Sequence, residues 1–361
     1  MGWAYHLPAV MVEEPGNGQE RGMAIPLRPG TVVVITGGTA GIGRATARAF
    51  AAAGCDVAVL ARGQDGLDGT VADIEKAGRR GLGIVTDVAD AEAVERAADR
   101  VEAELGPIAI WVNNAMASVF APLTEISAQE FERATRVTYL GAVHGTMSAL
   151  KRMQPRNAGH VIQVGSALAF RGIPLQAAYC GAKHAVIGFT ESVITELRHD
   201  KSAVTVSMVQ MPAVNTIQFD WVLSRLPHHP QPVPPIYEPE IPAAAILHVA
   251  RHPHRRNMWV ALPTVGTILG NRVMPKALDV YLGRTGVSSQ QTAKDDHPPI
   301  GVNLWEPVAG DRGARGDFSD RAHARSAGLW LSTHRPLAGA LAAGGVASVA
   351  GQAARYLRAS R

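Results

Sequence analysis

The sequence predicts a single α/β domain built on a doubly wound parallel sheet. Three observations predict it. Short β-branched runs recur along the chain, helical patterns separate them, and a glycine-rich turn joins the first run to the first helix. Continuous apolar runs suit strands buried on both faces, as a helix-covered parallel sheet requires. Regular alternation of strand and helix then implies right-handed crossovers.

The first strand is expected over 31–36 (Thr-Val-Val-Val-Ile-Thr), followed by an Ala-rich helix over 42–53. Further strands read at 56–61, 82–86, 108–113, 160–165 and 203–209, with a seventh at 257–261 before Pro263. Helical patterns over 66–78, 90–105, 127–153 and 177–199 separate them. The stretch 212–242 holds Pro227, Pro230, Pro232, Pro234, Pro235, Pro239 and Pro242, which excludes one long regular helix. It follows the carboxyl end of a strand, where ligands bind in such sheets. Ile217, Phe219, Trp221, Val222 and Leu223 give it apolar contacts, so a substrate-covering lid is expected over about 212–256.

These elements make 30–285 the catalytic domain. Residues 1–29 read as a flexible leader. Residues 286–326 turn polar and read as wandering or disordered chain, with Trp305 as an anchor. Residues 327–361 read as an Ala/Gly/Leu helix. Leu337, Leu341, Val349, Ala353 and Leu357 form a stripe there, and the charges are all basic. Docking on its own domain or on a partner subunit is the plainer reading of that helix; rest on an anionic membrane surface is the other.

The chain has 361 residues, 47% apolar and 18% charged, an ordinary globular balance. The net charge of +4 is spread among interleaved acids and bases, which excludes a nucleic-acid footprint. Two cysteines, Cys55 and Cys180, exclude a disulfide framework, and no metal-ligand spacing occurs. A reducing, cytoplasmic setting is expected. The N-terminus lacks a basic segment followed by an apolar run, so no signal peptide is expected.

The turn after the first strand reads Thr36-Gly37-Gly38-Thr39-Ala40-Gly41-Ile42-Gly43. Gly37 allows a tight turn, Gly41 lets backbone approach a pyrophosphate, and Gly43 lets the helix pack close to the strand. The helix N-terminus then faces the phosphates. In the spacing T-G-x-x-x-G-x-G this resembles the short-chain dehydrogenase/reductase family, and the motifs below extend the resemblance over about 30–265. It implies a seven-stranded Rossmann-type domain, a nicotinamide cofactor and a homodimer or homotetramer.

A carboxylate at the end of strand two would bind the adenosine ribose and repel a 2′-phosphate. Ala61 and Arg62 stand there instead. A guanidinium pairs bidentately with phosphate, which favours NADP(H) over NAD(H), and Arg44 is a second candidate. Asp87-Val88 resembles the family's adenine-contacting pair. Asn114 and Ala115, within Asn113-Asn114-Ala115, are implied to pass near the cofactor ribose, although Met116 stands where relatives have glycine. Val214 and Thr216, after Pro212, are implied to hold the nicotinamide carboxamide. Ala213 is a mild departure.

Tyr179 and Lys183 stand four apart, one turn of a helix, and Ser166 lies thirteen residues upstream at the end of strand five. This order matches the family's catalytic set. Hydride reaching a carbonyl carbon leaves an alkoxide that needs a proton, and a phenol supplies it if its pKa is brought toward neutrality. A lysine ammonium does that by favouring the phenolate. The Ser166 hydroxyl orients the substrate oxygen. The family's fourth member is an asparagine that holds a relay water, and Thr138 occupies its place in Val137-Thr138-Tyr139-Leu140-Gly141. His144, His184, His228 and His229 read as core or exposed residues. The substrate is expected to be a small, apolar carbonyl or secondary alcohol, because 212–226 carries only Asp220 and Arg225 as charges. Two alternatives stay open: a cofactor-binding relative with weak catalysis, and a membrane-associated lipid or steroid reductase.

Overall fold

The computed structural model describes residues 27–293 and 301–334. The chain begins β1 (Val32–Thr36), α1 (Gly41–Ala52), β2 (Asp56–Ala61), α2 (Gln64–Lys76), β3 (Gly81–Val85), α3 (Ala91–Glu104) and β4 (Ile108–Asn113). After a short β5 (Val119–Phe120) come α4 (Ala128–Thr135), α5 (Gly141–Met153), β6 (His160–Ser166), α6 (Ala177–His199) and β7 (Thr205–Met211). The lid region contains β8 (Ala213–Val214), α7 (Gln218–Trp221), β9 (Leu223–Ser224), β10 (Ile236–Tyr237) and α8 (Glu240–Arg251). Then follow β11 (Asn257–Trp259), α9 (Leu262–Val273), α10 (Pro275–Thr285), β12 (Ala322–His323) and α11 (Ala327–Thr333).

Seven parallel strands form the sheet in the order β3-β2-β1-β4-β6-β7-β11. Successive side chains of a strand point to opposite faces. Thus Val32 and Val34 join the apolar layer under α3, α5 and α6, while Val33 and Ile35 join the layer under α1, α2 and α8. A fully buried branched side chain such as Ile35 contributes about 1.5–3 kcal/mol relative to exposure. The chain reverses direction of travel between β1 and β4, so a crevice opens at the carboxyl ends of those strands.

The expected helix over 127–153 is present with a π turn at Arg136–Leu140 separating α4 from α5. A capping box between Ser127 and Glu130 starts it. The sixth strand sits two residues later than expected. Asn157 Oδ1 accepts the Ala203 N–H at 2.7 Å and holds 203 in the turn, while Gln210 and Met211 continue the ladder beside Gly165 and Ser166. The second half of the expected lid is core: Ile246 and Val249 of α8 are fully buried against the sheet.

Composition reads 286–326 as wandering chain, but over 301–326 the described residues are held by specific contacts. Leu304 is buried in the main core, and Phe318 packs edge-on to Phe219 at 5.7 Å. The Phe318 N–H donates to Asn215 Oδ1 at 3.0 Å, and β12 pairs with β10. Hydropathy misses such a segment because backbone-to-side-chain bonds anchor it, not an apolar stripe. The stripe expected within 336–358 and most of the N-terminal leader lie outside the described residues.

Candidate active site

The glycine turn is a close-packed joint. Gly37 has φ +64°, and a Cβ there would sit 2.8 Å from Ala115 Cα. A Cβ at Gly43 would sit 2.2 Å from the Gly37 carbonyl oxygen and 2.6 Å from Asn114 Nδ2. Any side chain at either position would push α1 off the sheet. Asn114 clamps the turn: its Nδ2 donates to the Thr36 and Gly37 carbonyls at 3.0 and 2.9 Å. Thr36 Oγ1 in turn accepts the N–H groups of Asn114 and Ala115. Hydroxyl and amide at the ends of neighbouring strands thus hold the loop where the sheet order reverses.

Of the candidate catalytic and cofactor-binding residues singled out from the sequence, all but Gly43, Arg44 and Thr138 line one cavity of about 490 Å³. Gly43 supports the turn from behind. Thr138 is buried, and its hydroxyl is engaged twice with Ala117, donating to the carbonyl at 2.8 Å and accepting from the N–H at 2.9 Å. The only hydroxyl hydrogen of Thr138 is therefore turned to Ala117, away from Lys183. Both bonds reach across 21 residues of sequence and tie the side chain to the chain between β4 and β5.

At one end of the cavity stand Ser166, Tyr179 and Lys183. Ser166 Oγ accepts the Leu168 N–H at 3.1 Å, which leaves its hydrogen to donate. Lys183 Nζ donates to the Val164 carbonyl at 2.7 Å and lies 5.7 Å from the Tyr179 ring centroid. Burial pushes the Tyr179 phenol up to about 12, and a hydrogen bond with Ser166 pulls against it. Burial pushes Lys183 down to about 8. Desolvation favours the neutral form of each group. The expected lowering of the phenol by the lysine is not among the causes at work here; burial dominates. Burial thus favours the protonated phenol at Tyr179 and works against the ammonium at Lys183.

At the other end β2 runs out at Ala61, with no acid directly after it. Arg62 Nη1 donates to the Trp305 and Leu304 carbonyls at 2.7 and 3.4 Å, and Nη2 donates to the Asn303 carbonyl. A guanidinium has five N–H groups. Nε and one Nη2 hydrogen have no partner among the described residues, and together they form a fork that matches two oxygens of a phosphate. Burial and the neighbouring Arg133 lower the Arg62 pKa, against the pull of Asp87. Burial works to raise the Asp87 pKa, but bonds from Arg133 and the Ala89 N–H outweigh it and hold the carboxylate low. Arg44 is not on the cavity wall. It is buried between Asp73 at 2.6 Å and Asp311 at 2.8 Å. Sequence reading missed Arg133, since a helix arginine 46 residues from its partner carries no local signal.

The wall between these ends is mostly apolar, with Phe120, Phe219, Trp221, Val233 and Tyr281 on it beside Gln176, Gln218 and Gln231. The two charges of 212–226 face elsewhere: Asp220 pairs with His229 at 3.3 Å, and Arg225 pairs with Glu130 at 2.6 Å. None of the four histidines lines the cavity. His144 and His184 bond backbone carbonyls of Val88 and Cys180. Among the described residues there is no group of three or more His, Cys, Asp or Glu able to hold a metal ion, and no helix is long and apolar enough to cross a membrane.

A profile described as short chain dehydrogenase matches residues 31–221. The chain is 30% identical over 334 residues to an uncharacterized oxidoreductase, YxnA, of Bacillus subtilis, covering 91% of each chain. It is 35% identical over 184 residues to the 3-oxoacyl-(acyl-carrier-protein) reductase MabA of Mycobacterium avium, covering 51% of this chain and 67% of that one. The structure resembles a metagenomic short-chain oxidoreductase in complex with NADP, with a TM-score of 0.55 and 25% identity over 64% of this chain and 97% of the other. It shares its fold with a short chain dehydrogenase/reductase from Burkholderia phymatum in complex with NAD, with a TM-score of 0.61 and 23% identity over 70% and 95% of the two chains.

Proposed function

This chain belongs to the short chain dehydrogenase family and is an oxidoreductase acting on CH–OH groups, and from that premise we propose that it interconverts an apolar ketone and its secondary alcohol with NADP(H). The observation that carries the reading is the shared cavity. It joins a half-buried, protonated phenol at one end to a guanidinium with spare donors at the other.

The residues present fit a nicotinamide dinucleotide. The turn around Gly37 and Gly43 has no room for a Cβ, so backbone amides at the α1 N-terminus can approach a pyrophosphate. Arg62 would hold a 2′-phosphate through its free fork, and no carboxylate stands directly after β2 to repel one. Asp87 and Val88 would border the adenine, Asn114 and Ala115 the ribose, and Val214 and Thr216 the carboxamide. The bound cofactor supplies or accepts the hydride. Every other part of the reaction falls to the protein. Ser166 donates its hydroxyl hydrogen to the substrate oxygen. Tyr179 gives its phenolic proton to that oxygen as negative charge develops, and the Lys183 ammonium, held by the Val164 carbonyl, returns a proton to Tyr179. In the oxidative direction the same proton travels back. Thr138 has a supporting part in this scheme, fixing the Ala117 backbone.

The mostly apolar wall and the diverted charges of 212–226 support an apolar substrate. Exposed Phe131 on α4 and Met147 on α5 support self-association through that face; a sedimentation profile unchanged by Met147→Lys would overturn that part. The main test is a hydride-transfer assay with a panel of ketones and secondary alcohols. Turnover with a clear NADPH preference is expected. Equal or better kcat/KM with NADH overturns the cofactor choice. A protein that binds NADPH yet turns over no carbonyl or alcohol overturns the reaction.

A further inference from the structure

The segment 303–316 lies outside the strand–helix repeat, yet Asn303, Pro307, Val308, Gly310 and Arg312 line the same cavity as the glycine turn. It is tied down at both ends and in the middle. The carbonyls of residues 303–305 hold Arg62, and the Leu304 carbonyl also accepts from Arg133 Nε at 3.0 Å. The Gly310 N–H donates to Asp65 Oδ2 at 2.7 Å. Asp311 receives both terminal nitrogens of Arg44 at 2.8 and 3.1 Å. The Gly313 carbonyl accepts the Gly41 N–H at 3.3 Å, at the first residue of α1. The Asn303 N–H donates to the Trp221 carbonyl, joining the segment to the substrate lid.

Two arginines on this segment are treated differently. Arg315 pairs with Glu238 and Glu240. Arg312 lies on the cavity wall and bonds only the carbonyl of Ala309, in its own turn, at 2.7 and 3.1 Å. It has no carboxylate partner among the described residues. An uncompensated guanidinium beside a helix N-terminus makes that end of the cavity doubly attractive to an anion.

We infer that residues 303–316 form a strap over the adenosine-diphosphate half of the dinucleotide, with Arg312 contacting its phosphates and the Asp311–Arg44 pair latching the strap shut. The inference rests on the dinucleotide reading above. It adds that the cofactor is enclosed by a part of the chain beyond the sheet, and that exchange requires the strap to lift. Arg62 then has two tasks. Its end-on nitrogens hold the strap and its side-on fork faces the cofactor.

The test is the rate at which bound NADPH leaves the full-length protein, followed by fluorescence in a stopped-flow displacement experiment. Arg312→Ala and Asp311→Asn should each speed release by about tenfold, the order of one charge-assisted hydrogen bond. Arg312→Lys should recover part of the loss, since it keeps the charge and loses the fork. Arg312 is exposed and Arg44 keeps Asp73, so both variants should stay folded. Unchanged release in both variants, or tighter binding in either, overturns the strap as a retaining element; tighter binding would mean that it blocks the cofactor. Failure of the unaltered protein to bind NADPH or NADH at all overturns the dinucleotide reading, and the strap's role with it.

Discussion

At one end of the cavity Ser166, Tyr179 and Lys183 stand on β6 and α6, whose positions follow from the sheet. At the other end Arg62 is held by carbonyls more than 240 residues further along the chain. The first end is regular, and burial dominates its electrostatics: the phenol moves up and the ammonium moves down. The second end is irregular, and its charges are set by individual pairs, Arg133 with Asp87 and Arg44 with Asp311. The difference separates two jobs. Chemistry needs a fixed geometry that a packed helix supplies. Cofactor choice and retention need contacts that can be made and broken.

Substitutions at the two ends should therefore fail differently. The largest effect is expected at the regular end. Tyr179→Phe should lower kcat by roughly 10²–10⁴-fold, the range of general acid catalysis, with NADPH affinity nearly intact. Full activity in that variant would break the catalytic assignment. Next comes the irregular end. Arg62→Ala should lower kcat/KM with NADPH by about 10–100-fold and with NADH by clearly less, since the bidentate phosphate contact is lost only with NADPH while the anchor of residues 303–305 is lost with both. Equal losses with both cofactors would mean that Arg62 only anchors residues 303–305.

The pH profile sharpens the contrast further. Carbonyl reduction needs Tyr179 and Lys183 protonated. With Lys183 near 8 and Tyr179 near 12, the lysine loses its proton first as pH rises. Reduction should fall above about pH 8, by up to about tenfold per pH unit. A plateau extending past pH 10 would show that burial does not control the lysine. The smallest effect on turnover belongs to Thr138→Val. It strands the Ala117 N–H and carbonyl, so stability should drop by about 1–3 kcal/mol for each buried group left unpaired, while kcat barely changes. Lost turnover at unchanged melting temperature would return Thr138 to the proton relay.

Much of this was legible without coordinates. The strands at 56–61 and 108–113 and the helix at 177–199 were readable because continuous β-branched runs and 3.6-residue periodicity are local signals. Tyr179, Lys183 and Ser166 were readable because helix spacing and strand ends place them. Thr138 was legible as a departure, but not its bonding, because Ala117 lies on a loop whose path depends on β5. The lid was legible as proline-rich chain, yet its second half is the core helix α8. Pro242 lies in that helix's first turn, where a missing N–H costs nothing.

The sequence by itself determined the sheet, the glycine joint and the placing of Ser166, Tyr179 and Lys183 at a strand end and on one helix. Each depends on residues close together in the chain, or on a pattern that repeats along it. Only the tertiary structure decided what surrounds Arg62, why Arg44 is unavailable, and that a polar segment beyond the sheet lines the cavity. Those outcomes rest on single hydrogen bonds and ion pairs between distant segments. Pairing energies of that kind depend on position and burial, which neither composition nor periodicity encodes.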